Sequence, residues 1–213
     1  MRVTRGSIFD LDGTLLDSMS MWMNIDIQFL GEHGITATED YSQTVKTMGY
    51  QKSAEYTIER YGLSMTPEEV IARWNQMADN AYASEIRLKE GAADYLLRLR
   101  NSGQKLAVAT ALGPSSIEHA LGNNNILHLF DALTMLHEVP RGKTHPDIYL
   151  LAAERLGLSP GECVVYEDIL PGITAAKSAG FIVCGVYDIS SENDWERIRQ
   201  TADFTISSWN ELL

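Results

Sequence analysis

The short run Ser7-Ile8-Phe9 ends abruptly in Asp10, and no second strand signal follows until Lys105–Ala109. A strand this short and apolar cannot stand alone, so it has to join a sheet whose other strands lie far downstream. The candidates are Lys105–Ala109, Ala132–Met135, Cys163–Tyr166, Ile182–Val186 and Phe204–Ile206. Helical patterns separate them, among them Ala92–Arg100, Pro146–Leu156 and Gly172–Ser178. Alternation of this kind implies an α/β fold, a Rossmann-like parallel sheet with helices on both faces. Residues 17–86 carry only helical signals. Met19, Trp22, Met23, Ile27 and Leu30 recur at helical spacing before Gly31 and Gly34, Lys52–Tyr61 stops at Gly62, and Thr66-Pro67-Glu68-Glu69 is a capping box opening a further helix. The expected organisation is therefore a sheet domain made of residues 1–16 and 87–213, interrupted by a helical insertion at 17–86.

Totals narrow the partners. With 213 residues and a formal net charge of −12, the chain is a poor match for a nucleic-acid surface or an anionic membrane. No apolar run approaches the length of a membrane span, and the N-terminal stretch lacks a long apolar segment, so a cytoplasmic location is expected. Cys163 and Cys184 sit inside apolar runs and read as small buried hydrophobes.

In open α/β sheets ligands bind beyond the carboxyl ends of the strands. The first strand ends at Asp10 with Asp12 beyond it, the second at Thr110 and the fourth at Glu167-Asp168, while Lys143 precedes the helix that starts near Pro146. Each has an ordinary explanation as a turn, a cap or a solvated charge. Their coincidence on one sheet edge does not. Clustered carboxylates raise one another's pKa unless a cation neutralises them, and a hard divalent ion with oxygen ligands, such as Mg2+, would do so.

Asp10-Leu11-Asp12-Gly13-Thr14, Thr110, Lys143 and Glu167-Asp168, in that order, resemble the four motifs of the haloacid dehalogenase (HAD) superfamily. The stretches Gly142–Tyr149 and Glu167–Gly180 resemble its β-phosphoglucomutase-like branch, in which an α-helical cap is inserted after the first motif. The resemblance implies that Asp10 attacks a phosphoryl group to form an aspartyl-phosphate. Asp12 would protonate the leaving oxygen and then activate water. Mg2+ would be held by Asp10, Asp168 and the Asp12 carbonyl, with Glu167 as ligand or supporting group. Thr110 and the Ala111 N–H would hold phosphoryl oxygens, and Lys143 would offset developing charge. Arg141, Lys46, Gly49 and Trp22 are further candidate substrate contacts.

The implied activity is a Mg2+-dependent phosphatase of small phosphorylated metabolites, sugar phosphates among them, working as a monomer. A β-phosphoglucomutase-like mutase is the alternative enzyme, and a catalytically silent phospholigand-binding protein the alternative of another class. Asp12 argues for phosphoryl transfer over dehalogenation. Many sugar-phosphate members carry a His where Trp22 stands, which weakens the mutase reading.

Overall fold

The computed structural model describes residues 4–45, 48 and 50–213, except for the side chains at 22, 23, 43 and 50. In chain order the elements are β1 (Gly6–Phe9), α1 (Met19–Glu32), α2 (Glu39–Val45), α3 (Tyr50–Tyr61), α4 (Pro67–Ser84), α5 (Ala92–Asn101), β2 (Lys105–Thr110), α6 (Pro114–Asn123), β3 (Ala132–Met135), α7 (Asp147–Leu156), β4 (Cys163–Glu167), α8 (Leu170–Ser178), β5 (Ile182–Val186), α9 (Trp195–Thr201) and β6 (Phe204–Ile206). They form two compact units. One comprises residues up to Ser18 together with Ile86–Leu213, the other Met19–Glu85.

In the first unit, the strands make a parallel sheet in the order β3-β2-β1-β4-β5-β6 among the described residues. The N-terminal strand is central. Gly6 pairs with Lys105 on one side and Cys163 on the other, and every β1 residue is buried, as a strand covered on both faces requires. One face packs Ile8, Ala107, Val165 and Val183 against Ile148, Ala152 and Leu156 of α7 and Ile173 and Ala176 of α8. The other carries aromatics: the Phe9 and Tyr166 rings stack at 4.7 Å, and Trp209 packs on both. At Gly6 the backbone passes so close to α7's end that an added Cβ would lie 2.5 Å from Leu158 Cδ1. The chain leaves and re-enters this unit side by side, with Leu16 bridging Leu88 antiparallel and the Asp17 N–H donating to the Arg87 carbonyl at 3.0 Å.

The second unit is helical. Thr66 caps α4 reciprocally with Glu69, Oγ1 accepting from the Glu69 N–H and the Glu69 carboxylate from the Thr66 N–H. Phe29 of α1 meets Trp74 of α4 edge-on at 5.8 Å, and the Tyr41 and Thr57 hydroxyls hydrogen-bond at 2.9 Å. The buried stripe of α1 corrects the expected one. Met21, Ile25, Phe29 and Leu30 are buried, whereas Ile27 is 51% exposed. The helix MSMWMNIDIQFLGE carries apolar residues on two sides, so its periodicity fits either stripe, and only packing against α4 selects one.

Candidate active site

The strand order reverses between β1 and β4, and in such sheets the crevice outside that reversal receives ligands. β1 delivers Asp10 to this point and β4 delivers Glu167 and Asp168. The Asp10 N–H donates to the Tyr166 carbonyl at 3.0 Å, extending the ladder one residue past Phe9↔Tyr166. Oxygens of Asp10, Glu167 and Asp168 lie within 4.8 Å of one another, all three residues being buried.

Lys143 lies between two of these acids. Its Nζ is 2.5 Å from Asp10 Oδ1 and donates to Glu167 Oε2 at 2.9 Å. Tyr149 Oη donates to the same Glu167 oxygen at 2.8 Å, and the backbone N–H groups of Asp168 and Ile169 donate to Glu167 Oε1 at 3.3 Å. Both Glu167 oxygens are thus engaged, and the residue acts as the socket that holds Lys143. Asp168 is different. Thr14 Oγ1 donates to its Oδ1 at 3.0 Å, but its Oδ2 is buried with no hydrogen-bond partner. A buried carboxylate oxygen without a donor is costly.

Burial, and then the charge of Glu167, pushes the Asp10 carboxyl well above the usual carboxylate range, with Lys143 pulling the other way. Asp168 is raised by burial and by the charges of Glu167 and Asp10. Burial works against the Lys143 ammonium, but the charges of Asp10 and Glu167 outweigh it and hold its pKa above the ordinary value. Three acids against one ammonium leave a charge deficit that a divalent cation fits, and Asp168 Oδ2 gives such an ion an uncommitted oxygen.

The remaining expected residues fall as follows. Asp12 follows Asp10 by two residues, and Ser18 Oγ donates to its Oδ1 at 2.6 Å. Thr110 ends β2, buried, its Oγ1 accepting from the Leu112 N–H at 3.2 Å; Ala111 follows it and is exposed. Arg141 is engaged elsewhere: its Nε and Nη2 form a fork onto Asp147, so it meets an anion only if that pair opens. Trp22 lies in α1 with its side chain outside the described residues, as are Lys46 and Gly49 altogether. Sequence reasoning missed Tyr149 and Ser18 and left Thr14 without a role. Both Thr14 and Tyr149 stand inside stretches that carry the family resemblance, but nothing in the sequence gives either one its partner.

This geometry can be set beside known proteins. Residues 7–186 match the family model described as haloacid dehalogenase-like hydrolase. The chain belongs to the haloacid dehalogenase-like hydrolase family. Within that family it is 26% identical to the phosphorylated carbohydrates phosphatase of Thermotoga maritima, over 97% of this chain and 95% of that one. It is 28% identical to hexitol phosphatase A of Escherichia coli, over 98% and 93% respectively. Its fold superposes with a TM-score of 0.87 on a Thermotoga maritima structure named as a candidate beta-phosphoglucomutase, at 24% identity and 98% coverage of both chains. Being a haloacid dehalogenase-like hydrolase, the protein is an enzyme, and no helix among the described residues is long and apolar enough to cross a membrane.

Proposed function

We propose that the protein is a Mg2+-dependent phosphatase of small phosphorylated metabolites, with sugar phosphates as the favoured class, acting through an aspartyl-phosphate on Asp10. The observation that carries this reading is the buried Asp10 carboxylate held by Lys143 beside the uncommitted oxygen of Asp168, with a second acid two residues on. Related phosphatases named for carbohydrate and hexitol phosphates support the substrate class.

Mg2+ would be held by Asp10, Asp168 and the Asp12 carbonyl, and when bound it lowers the repulsion between phosphate and carboxylates. An Asp10 oxygen attacks phosphorus while the ester oxygen leaves with a proton from Asp12. The bond formed is carboxylate to phosphorus, and the bond broken is phosphorus to ester oxygen. Asp12, now ionised, takes a proton from the water that cleaves the acyl phosphate, returning Asp10 and releasing inorganic phosphate. Thr110 and the Ala111 N–H hold phosphoryl oxygens. Lys143, kept protonated by its two acidic partners, offsets charge that develops there. Residues 17–86 would act as a helical cap domain and residues 1–16 and 87–213 as the catalytic core, with Trp22, Lys46, Gly49 and Arg141 as substrate contacts.

The test is a panel of hexose, hexitol and pentose phosphates with Mg2+, assayed for phosphate and for isomerised ester. Wild type should release phosphate, and Asp10→Asn should lose at least about 10³-fold in kcat with the fold intact. Isomerised product without phosphate release would overturn the phosphatase in favour of a mutase. Silence toward every ester would overturn both.

A further inference from the structure

Lys89 sits where the chain re-enters the first unit, next to Leu88, which bridges Leu16. Its backbone N–H donates to the Leu15 carbonyl at 2.8 Å. The side chain then reaches three further groups. Nζ donates to the Gly13 carbonyl, donates to the Tyr187 carbonyl at 2.9 Å, and pairs with Asp188 Oδ2 at 2.8 Å. An ammonium has three donors, and here each has an acceptor. Asp188 is equally engaged, its Oδ1 accepting from the Ser190 N–H at 2.9 Å and the Ser190 hydroxyl at 2.6 Å.

This pair is not an ordinary surface bridge. The Lys89 side chain is 18% exposed and that of Asp188 6%. Burying two charges costs several kcal/mol of desolvation per ion unless their geometry is well satisfied, so a plain apolar contact would stabilise the fold at least as well. What an apolar contact cannot do is grip a carbonyl. The carbonyl gripped belongs to Gly13, between Asp12 and Thr14, in a turn whose glycine has φ 75° and whose Gly13 N–H donates to the Leu16 carbonyl at 3.1 Å. Thr14 in turn donates to Asp168.

We propose that Lys89, locked by Asp188, is a positioning residue that fixes the Asp12-Gly13-Thr14 turn and so aims the Asp12 carboxyl at the leaving oxygen. The assignment of that oxygen rests on the phosphatase reading; the fixing of the turn does not. Lys89 reaches neither substrate nor phosphorus. It acts through the turn, where displacement by an ångström is enough to cost about 10²-fold in rate.

The test compares wild type with Lys89→Met and Asp188→Asn in the full chain with Mg2+. One substrate is p-nitrophenyl phosphate, whose leaving group departs without protonation; the others are hexose and hexitol phosphates, whose alkoxides need it. Each variant should lose about 10-fold to 100-fold in kcat/KM on the alkyl esters and only a few-fold on p-nitrophenyl phosphate. The reason is that kcat/KM reports formation of the phosphoenzyme, ahead of the water step that both esters share and that Asp12 also serves. Equal losses in kcat/KM on both ester types would overturn the proposal. Hydrogen exchange read by mass spectrometry supplies an arm independent of turnover. Residues 11–16 should lose protection in both variants while β4 keeps its own, and unchanged protection there overturns the positioning role. If wild type hydrolyses no ester, the phosphatase reading falls and the exchange result decides for Lys89 by itself. Melting curves identify a variant that fails to fold, and Asp188→Asn, which keeps the side-chain volume, then carries the comparison.

Discussion

Gly172 sets a limit on what can be changed around the acids. A Cβ there would lie 2.6 Å from Tyr149 Oη and 2.8 Å from the Glu167 carboxyl carbon, so α8 approaches β4 this closely only with a hydrogen at that position. Gly172→Ala should push the Tyr149 hydroxyl or the Glu167 carboxylate aside. The expected cost is about 1–3 kcal/mol in urea denaturation, with a fall in kcat because Glu167 no longer seats Lys143. A variant with wild-type stability and turnover would show that the socket tolerates displacement. Residues such as these mark where the sequence stops being legible. Asp10, Glu167 and Asp168 are readable because a strand end has a known place on a parallel sheet. Tyr149 and the Lys89–Asp188 pair are defined by partners in other elements, and no local pattern announces a contact between segments so far apart along the chain.

At the scale of elements, strands and helices differ in what they disclose. β1, β4 and β5 are buried along nearly their whole length, and each carries a short apolar run (Ile8-Phe9, Cys163–Tyr166 and Ile182–Val186), which is why their positions can be read directly. α2 (EDYSQTV) and α9 (WERIRQT) are short and polar and give little periodic signal, and α1 is apolar on two sides. That helix also carries Asp26, half-buried, whose carboxyl burial pushes up to about 6. Its proton is held more tightly in the folded state than in the unfolded one, where the pKa is about 3.9. The contribution of Asp26 is therefore most favourable below about pH 4 and is lost as pH rises through about 6. Asp26→Asn should leave stability near that of wild type at pH 4 and raise it by about 1 kcal/mol at pH 7, after allowance for solvent screening. Equal stabilisation at both pH values, measured by denaturant titration, would rule out this titration as the cause.

For the molecule as a whole, an ion held at the buried acids of the sheet edge would couple its binding to folding. An ion that binds the native state alone stabilises it by about 2.7 kcal/mol at a concentration 100 times its Kd. Mg2+ should accordingly raise the Tm of the intact protein by about 5 °C or more, a chelator should reverse the rise, and Asp168→Asn should abolish most of it. An unchanged wild-type Tm would sink the metal assignment without reference to turnover. The central place of β1 has one more consequence, in the order of synthesis. Gly6 pairs with Lys105 and Cys163, so the strand leading to Asp10 has no partner until β2, and then β4, are supplied by chain translated much later. The helical unit, built from neighbours in sequence, can form on the ribosome while β1 waits. Asp10 thus stays in water throughout translation of the insertion, and becomes a buried acid only when β4 arrives to close the sheet around it.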